Sequence, residues 1–153
     1  MLKNISIIIN VIVVFSSLYN YAQPLEDFKS TDDFGKLIVR IIGFSNDRGE
    51  CWFALDNSES VYESDDSVFI GKILPIINKE VLLEIDSLKF GVYAIRVFHD
   101  ENSNGELDTD FLGIPSEDYG YSNNVSAWFG PPSWERAKFK FDDKEMTIEI
   151  SLD

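Results

Sequence analysis

The sequence predicts an all-β protein, a single antiparallel β-sandwich of about seven short strands. Apolar and polar residues alternate at every second position through most of the chain after residue 35, which is typical of strands with one buried and one solvated face. No segment is long and periodic enough to predict a helix. Seven short strands within about 120 residues indicate a sandwich. The 153 residues suffice for one domain with a sizeable core.

Residues 1–22 are predicted to be a secretory signal peptide. Lys3 gives a positive start, the apolar run 5–15 follows, and the polar run 16–22 ends in Ala22, a suitable cleavage residue. The apolar run is short for a membrane span, so an uncleaved anchor is the less favoured alternative. We therefore expect an exported protein, periplasmic or extracellular, without membrane contact after cleavage.

The charge of the remaining chain is strongly negative. Without residues 1–22 it carries 12 basic and 27 acidic residues, a formal charge of −15. Such a charge repels nucleic acid and anionic lipid headgroups, and it attracts cations and basic partners. A plain solvated surface is the simpler interpretation. Cys51 is the only cysteine and shares a strand face with Phe53 and Leu55, which predicts a buried core thiol.

The first strands follow a short leader. Residues 23–35 are predicted as a flexible leader and 36–153 as the β-sandwich domain. Alternation predicts a strand at 36–44 and a returning strand at 51–55, and the turn residues between them indicate a hairpin.

The later strands are predicted from the same alternation. Residues 56–67 are acidic and serine-rich, typical of a loop or a short helix. Residues 68–77 are apolar but interrupted by Gly71 and Pro75, which favours an edge or bulged strand. Further strands are predicted at 81–86, 92–99, 138–141 and 145–152.

The stretch 99–110 is the candidate metal site. Oxygen-bearing side chains recur at every second residue from Asp100 around Gly105, the spacing of a loop that curls round calcium. The twelfth position is Phe111, where a helical calcium hand has a glutamate, so Asp110 or Glu117 would complete the shell. An acidic hairpin turn that bonds its own backbone explains the same residues. The candidate Ca²⁺ ligands are Asp100, Asn102, Asn104, Glu106, Asp108, Asp110 and Glu117.

A candidate ligand site surrounds that stretch. His99, the only histidine, either anchors the loop from the end of its strand or lines a ligand site, and anchoring is favoured. Aromatic residues crowd the following segment, where they form a platform for a sugar or a partner if exposed, or cap the sandwich if buried. Capping is favoured for these as a group. The candidate ligand-binding residues are His99, Tyr119, Tyr121, Trp128 and Trp134.

Three motifs carry a family resemblance. They are G-x-Y-A from Gly91, H-D-x-N-x-N-G-x-x-D from His99, and G-I-P-x-E from Gly113 continuing to Ser122-Asn123-Asn124. Over roughly residues 36–152 the chain resembles the secreted bacterial domain-of-unknown-function family 2141. Tyr121 stands where that family usually has phenylalanine, and Asp118 where glycine is common. The resemblance implies an exported sandwich of Ig-like or transthyretin-like type, and it brings no established activity, substrate or catalytic residue.

Three functional hypotheses follow, of which the first is favoured. In the first hypothesis, the protein is an exported, non-enzymatic binding or structural module with a calcium-ordered loop. Alternatively it is a carbohydrate-binding module that uses the aromatic loop 119–134. A hydrolase with His99, Asp100 and Glu117 as acid and base ranks last, because the sequence has no nucleophile motif. We expect a monomer that binds an unidentified protein or glycan and no nucleic acid.

Overall fold

The computed structural model describes residues 33–64, 66–127 and 130–153. The predicted signal peptide and most of the predicted leader lie outside these residues. The strands are β1 (Phe34–Ile42), β2 (Glu50–Asp56), β3 (Ile70–Leu74), β4 (Glu80–Lys89), β5 (Gly91–Asp100), β6 (Tyr119–Tyr121), β7 (Phe139–Phe141) and β8 (Glu145–Ser151). Two single-turn helices, α1 (Glu59–Tyr62) and α2 (Trp134–Ala137), and a 3-10 turn (Ser122–Asn124) complete the fold. The first described strand, β1, begins at Phe34, within the last two residues of the predicted leader.

Two sheets form the fold, and the predicted all-β sandwich is confirmed. The smaller sheet has the strand order β4-β1-β8, and the larger has the order β3-β2-β5-β6, with β7 also paired to β5. All pairings are antiparallel except that of β1 with β8, which is parallel. The predicted edge strand in 68–77 is β3, which lies at the edge of the larger sheet.

The core lies between the inner faces of the sheets. Alternate residues of each strand point inward, which is why the period of two in the sequence identifies them. The fully buried strand residues of this hydrophobic core are Leu37, Val39, Ile41, Cys51, Leu55, Ile95, Phe141 and Ile150. Burial raises the pKa of the Cys51 thiol to about 12, as a core thiol requires.

The predicted hairpin of residues 36–55 is wrong. Val39 in β1 pairs with Leu83 and Ile148, whereas Phe53 in β2 pairs with Lys72 and Val97. The connection 43–49 therefore crosses from one sheet to the other. Turn residues mark a reversal of the chain but not whether the returning strand pairs with its predecessor or packs across the core from it.

The two helices cover one end of the larger sheet on its outer face. Tyr62 of α1 and Trp134 of α2 pack together with ring centroids 5.9 Å apart, over the buried Ala94 of β5. Ser58 is the N-cap of α1, and its hydroxyl accepts a hydrogen bond from the Val61 N–H. Among the described residues, neither helix approaches the length or apolar character needed to cross a bilayer. The helices thus serve as a local cover for the sheet.

Candidate functional site

An open groove of about 930 Å³ runs over the outer face of the larger sheet. It lies between two covers on that face. Tyr62 and Trp134 cover the sheet near Ala94, and the loop after β5 covers it near Asp100. The strand residues between these covers, Arg96 and Phe98 on β5, line the groove.

Two cross-strand rows of side chains explain why the surface is hollow there. The first row is Ile73, Trp52, Phe98 and Tyr119, and the second is Gly71, Ala54, Arg96 and Tyr121. Neighbours in a row lie opposite one another on adjacent strands, on the same face. Gly71 and Ala54 add little bulk, so the second row leaves a trough beside the aromatic first row.

The first row forms an aromatic wall. The rings of Trp52 and Phe98 stack with centroids 5.8 Å apart and planes 16° apart. Tyr119 and Tyr121 meet edge to face at 6.1 Å. The indole Nε1 of Trp52 is buried and has no hydrogen-bond partner among the described residues. A buried indole N–H normally has an acceptor, and the faces and edges of the two rings are what this wall offers to a ligand.

Arg96 is held in place within the second row. Its Nε donates to the Asp56 Oδ2 at 2.8 Å, and its guanidinium carbon lies 5.4 Å from the centre of the Tyr62 ring. Asp56 is fully buried, and its other oxygen, Oδ1, has no partner among the described residues. Burial raises the pKa of Asp56, and the hydrogen bond from Arg96 partly offsets the rise. The buried carboxylate thus orients a cationic side chain at the groove.

Two buried carboxylates fold the acidic loop that walls the groove. Asp100 is fully buried, and its two oxygens accept from the backbone N–H groups of Asn104 at 3.0 Å and Gly105 at 2.7 Å. Glu117 accepts from the N–H groups of Glu101 at 2.9 Å and Asp108 at 3.0 Å. These bonds tie the chain to itself, as the acidic-turn interpretation of this stretch requires.

Three further side chains of the predicted calcium set converge on one another. The Asn102 Nδ2 donates to the Asp108 Oδ2 at 2.6 Å, and the Asn104 Nδ2 donates to the Asp108 Oδ1 at 3.1 Å. Together with Asp100, which binds the Asn104 backbone, four predicted ligands lie within hydrogen-bonding reach of this turn. The amide oxygens of Asn102 and Asn104 accept from the N–H groups of Asn104 at 3.0 Å and Glu106 at 2.8 Å, so a half-turn of either amide toward an ion would break one of these bonds.

The remaining predicted ligands serve other contacts. Asp110 accepts from the N–H groups of Leu112 and Ile114 at 2.8 and 3.0 Å, which holds a tight loop tip. That tip exposes Phe111, Leu112 and Ile114 to solvent. Glu106 lines the groove. The side chains of Asp110 and Glu106 therefore have other contacts than the hydrogen-bonded cluster of Asp100, Asn102, Asn104 and Asp108.

His99 joins two loops through its hydrogen bonds. It is fully buried, and its Nε2 donates to the carbonyl oxygen of Arg48 at 2.7 Å. Its Nδ1 lies 3.4 Å from the Asp118 Oδ2, which also accepts from the Ser45 N–H at 2.7 Å. The side chains of His99, Glu101 and Asp118 each offer one possible ligand atom, and these three atoms lie within 4.8 Å of one another. The hydrogen bonds to the 43–49 connection make anchoring the interpretation that the geometry supports.

The pKa of Asp118 reflects the same anchoring. Burial raises it, but the hydrogen bonds from Ser45 and His99 outweigh that effect and lower it below its ordinary value. Sequence reasoning missed Asp118. The pairing of Phe98 with Tyr119 places Asp118 beside His99, and such a register is visible only once β5 and β6 are known to pair.

The predicted aromatic ligands divide between the groove and the interior. Tyr119 and Tyr121 line the groove, whereas Trp134 is buried against Tyr62. The predicted ligand residue Trp128 lies outside the described residues.

Trp52, Phe98 and Arg96 were missed as site residues. A signal for two of them was present: Trp52 and Phe98 occupy the strand face where alternation predicts polar residues.

Comparison with known proteins identifies a family. The sequence model of a bacterial family described as "uncharacterized protein conserved in bacteria (DUF2141)" matches residues 39–149. The match spans the groove residues and the whole acidic loop. No curated protein and no solved structure matches the chain.

Proposed function

The chain belongs to the uncharacterised bacterial DUF2141 family, and we propose that it is an exported, non-enzymatic binding module. The module holds a carbohydrate chain in the groove on the outer face of its larger sheet. The stacked pair of Trp52 and Phe98 in that groove carries the proposal. The module acts outside the cytoplasm, as the apolar N-terminal segment of the sequence predicts.

The form of the groove suits a sugar chain. An aromatic ring packs against the apolar faces of a sugar and leaves its polar edges free for hydrogen bonds. Trp52 and Phe98 supply the rings, while the Arg96 guanidinium supplies donors beside them. The formal charge of −14 at pH 7 disfavours a nucleic acid chain, which also stacks on aromatic residues.

The buried state of the candidate acid and base groups favours binding over turnover. His99 and Asp100 are fully buried, Glu117 is 8% exposed, and all three are engaged in hydrogen bonds. None of them lines the groove. A general acid or base must reach the substrate within hydrogen-bonding distance, so these residues serve the fold.

Calcium is the proposed ordering ion of the loop. The convergence of Asp100, Asn102, Asn104 and Asp108 supports this second proposal. Calcium prefers six to eight oxygen ligands at 2.3–2.6 Å, and carboxylates, amide oxygens and backbone carbonyls of this turn supply them. The ion would replace the mutual hydrogen bonds of the side chains and stiffen one wall of the groove.

Replacement of Trp52 tests the groove. We expect Trp52→Ala to weaken binding of any glycan captured from an array by roughly tenfold, since an aromatic stacking contact contributes about 0.5–1.5 kcal/mol beyond the area that it buries. Phe111→Ala, at a residue 93% exposed on the loop tip, is the matched control and should bind as the wild type does. Isothermal titration gives the affinities. Glycan binding that survives Trp52→Ala, or an array without any bound glycan, would overturn the proposal.

Thermal unfolding tests the calcium proposal. Millimolar calcium should raise the melting temperature relative to chelator, because a ligand that binds only the folded state stabilises it. Asp108→Ala should abolish the shift, whereas Asp142→Ala, in the turn after β7, should keep it. An unchanged melting temperature of the wild-type protein with calcium removes the metal from the proposal.

A further inference from the structure

We infer that the groove contains an acid-binding subsite at Arg96, so that its ligand is a carbohydrate chain that carries a carboxylate, a uronic acid residue, at that position. The inference rests on the proposed carbohydrate groove and names the chemical class of its ligand. It depends on how Arg96 is held, on the charges around it and on its distance from the aromatic wall.

The guanidinium of Arg96 keeps its outer donors free. Its Nε is bound to Asp56, and the Tyr62 ring lies under the group. Among the described residues, no hydrogen bond from either Nη atom is formed with a protein acceptor. The side chain is 28% exposed and lines the groove. A planar guanidinium fixed at its Nε presents two parallel N–H groups, which matches both oxygens of a carboxylate.

The groove is balanced in charge on a protein that is otherwise strongly acidic. Its charged lining residues are Asp66, Lys72, Arg96 and Glu106, two of each sign. The whole chain has a formal charge of −14. Asp56, which is bound to the Arg96 Nε at 2.8 Å, adds a buried carboxyl group beside this lining, so the groove offers an acid a fixed pair of donors and not a positive field. That donor pair favours a ligand that places a single carboxylate at Arg96.

The spacing of Arg96 from the aromatic wall fits a single sugar residue. Arg96 and Phe98 lie two residues apart on β5, on the same face, which separates their backbones by about 7 Å. A sugar ring stacked over Trp52 and Phe98 would therefore carry a carboxylate toward Arg96. Tyr121, opposite Arg96 on β6, adds a hydroxyl at the same row. The first row would thus stack on the sugar ring, and the second row would bind its carboxylate.

A pair of matched ligands tests the subsite on the unmodified full-length protein. Isothermal titration compares an oligosaccharide that carries one galacturonate residue with its methyl ester, which keeps the rings and loses the charge. We expect the acid to bind at least about tenfold more tightly. A sulfated oligosaccharide distinguishes a carboxylate subsite from a general anion subsite, and it should bind more weakly than the acid.

Two variants assign the preference to Arg96. Arg96→Lys keeps a positive charge beside the buried Asp56 and loses the planar donor pair, and we expect the acid to lose most of its preference over the ester. Lys72→Gln, at the other cation of the groove, is the control and should retain it. Trp52→Ala should weaken both ligands to the same degree. Circular dichroism melting confirms that each variant is folded.

The outcomes separate this inference from the proposed function. Equal binding of acid and ester, with both lost in Trp52→Ala, would overturn the acid subsite and leave the carbohydrate groove. A stronger response to the sulfated ligand, or an acid preference unchanged in Arg96→Lys, would also overturn it. Binding of neutral glycans alone would overturn the acid subsite as well. If no glycan binds, the proposed carbohydrate groove is itself overturned.

Discussion

Buried polar residues hold the loop end of the domain together. Asp100 and Glu117 bind backbone N–H groups, and His99 links the 43–49 connection to Asp118. Buried polar groups of this kind are costly when unpaired, which is why each has a partner. The sequence favoured an anchoring role for His99, because a general base needs a nucleophile or a substrate contact and the sequence offers neither. It could not predict the partner, since Asp118 approaches only through the register of β5 and β6.

The ionisation of Asp118 makes stability depend on pH. Its pKa is lower in the folded protein than in the unfolded chain, so ionised Asp118 stabilises the fold above about pH 4. That contribution is lost as the pH falls through the folded-state pKa. We expect Asp118→Asn to be less stable than wild type at pH 7, with the difference shrinking below about pH 4. Urea unfolding at a series of pH values measures this.

Asp143→Asn is the control for the pH series. Asp143 is exposed in the turn between β7 and β8, away from His99. Its substitution should leave the shape of the stability curve unchanged. A stability difference between wild type and Asp118→Asn that stays constant from pH 7 to pH 3 would contradict the role of the carboxylate.

At the scale of elements, alternation predicted which residues face the core but not which strands pair. The inward faces of β1, β2, β5 and β8 follow directly from the period of two in the sequence. Pairing depends on contacts between segments far apart in the chain, such as Trp52 with Phe98. The groove was missed for this reason: its two rows are assembled from four strands. The loop 119–134 was the predicted aromatic site, and of its described residues those of β6, Tyr119 and Tyr121, line the groove.

The approach of two loops depends on Gly49. Its φ is +69°, and a Cβ at this position would overlap the carbonyl oxygen of Asp100. We expect Gly49→Ala to destabilise the fold by more than about 2 kcal/mol, from backbone strain and displacement of the 43–49 connection together. Chemical denaturation gives the free energy of unfolding.

Gly113 offers a matched control for that variant. Its φ is +78°, but a Cβ added to this residue on the loop tip would meet no other atom within 4 Å. Gly113→Ala should therefore cost only about 1 kcal/mol, from the left-handed backbone alone. Equal losses for the two variants would show that the close approach to Asp100 adds nothing.

At the scale of the whole molecule, net charge sets the response to salt. The chain has a formal charge of −14 at pH 7 and a pI of about 4.3, so its acidic groups repel one another. Monovalent salt screens this repulsion over distances beyond about 10 Å at 0.1 M. We expect sodium chloride to raise the melting temperature by several degrees at pH 7 and to have little effect near the pI. A melting temperature independent of salt at pH 7 would contradict this.

The parallel pairing of β1 with β8 joins the first described strand to the last. Val39 lies beside Ile148 in the middle of the smaller sheet, although more than a hundred residues separate them in the chain. Closing so long a loop is slow, because entropy is lost before the contact is gained. The smaller sheet therefore cannot be completed until the ribosome has made the whole domain. We therefore expect the native state to form only after synthesis of the whole domain, including β8, is complete.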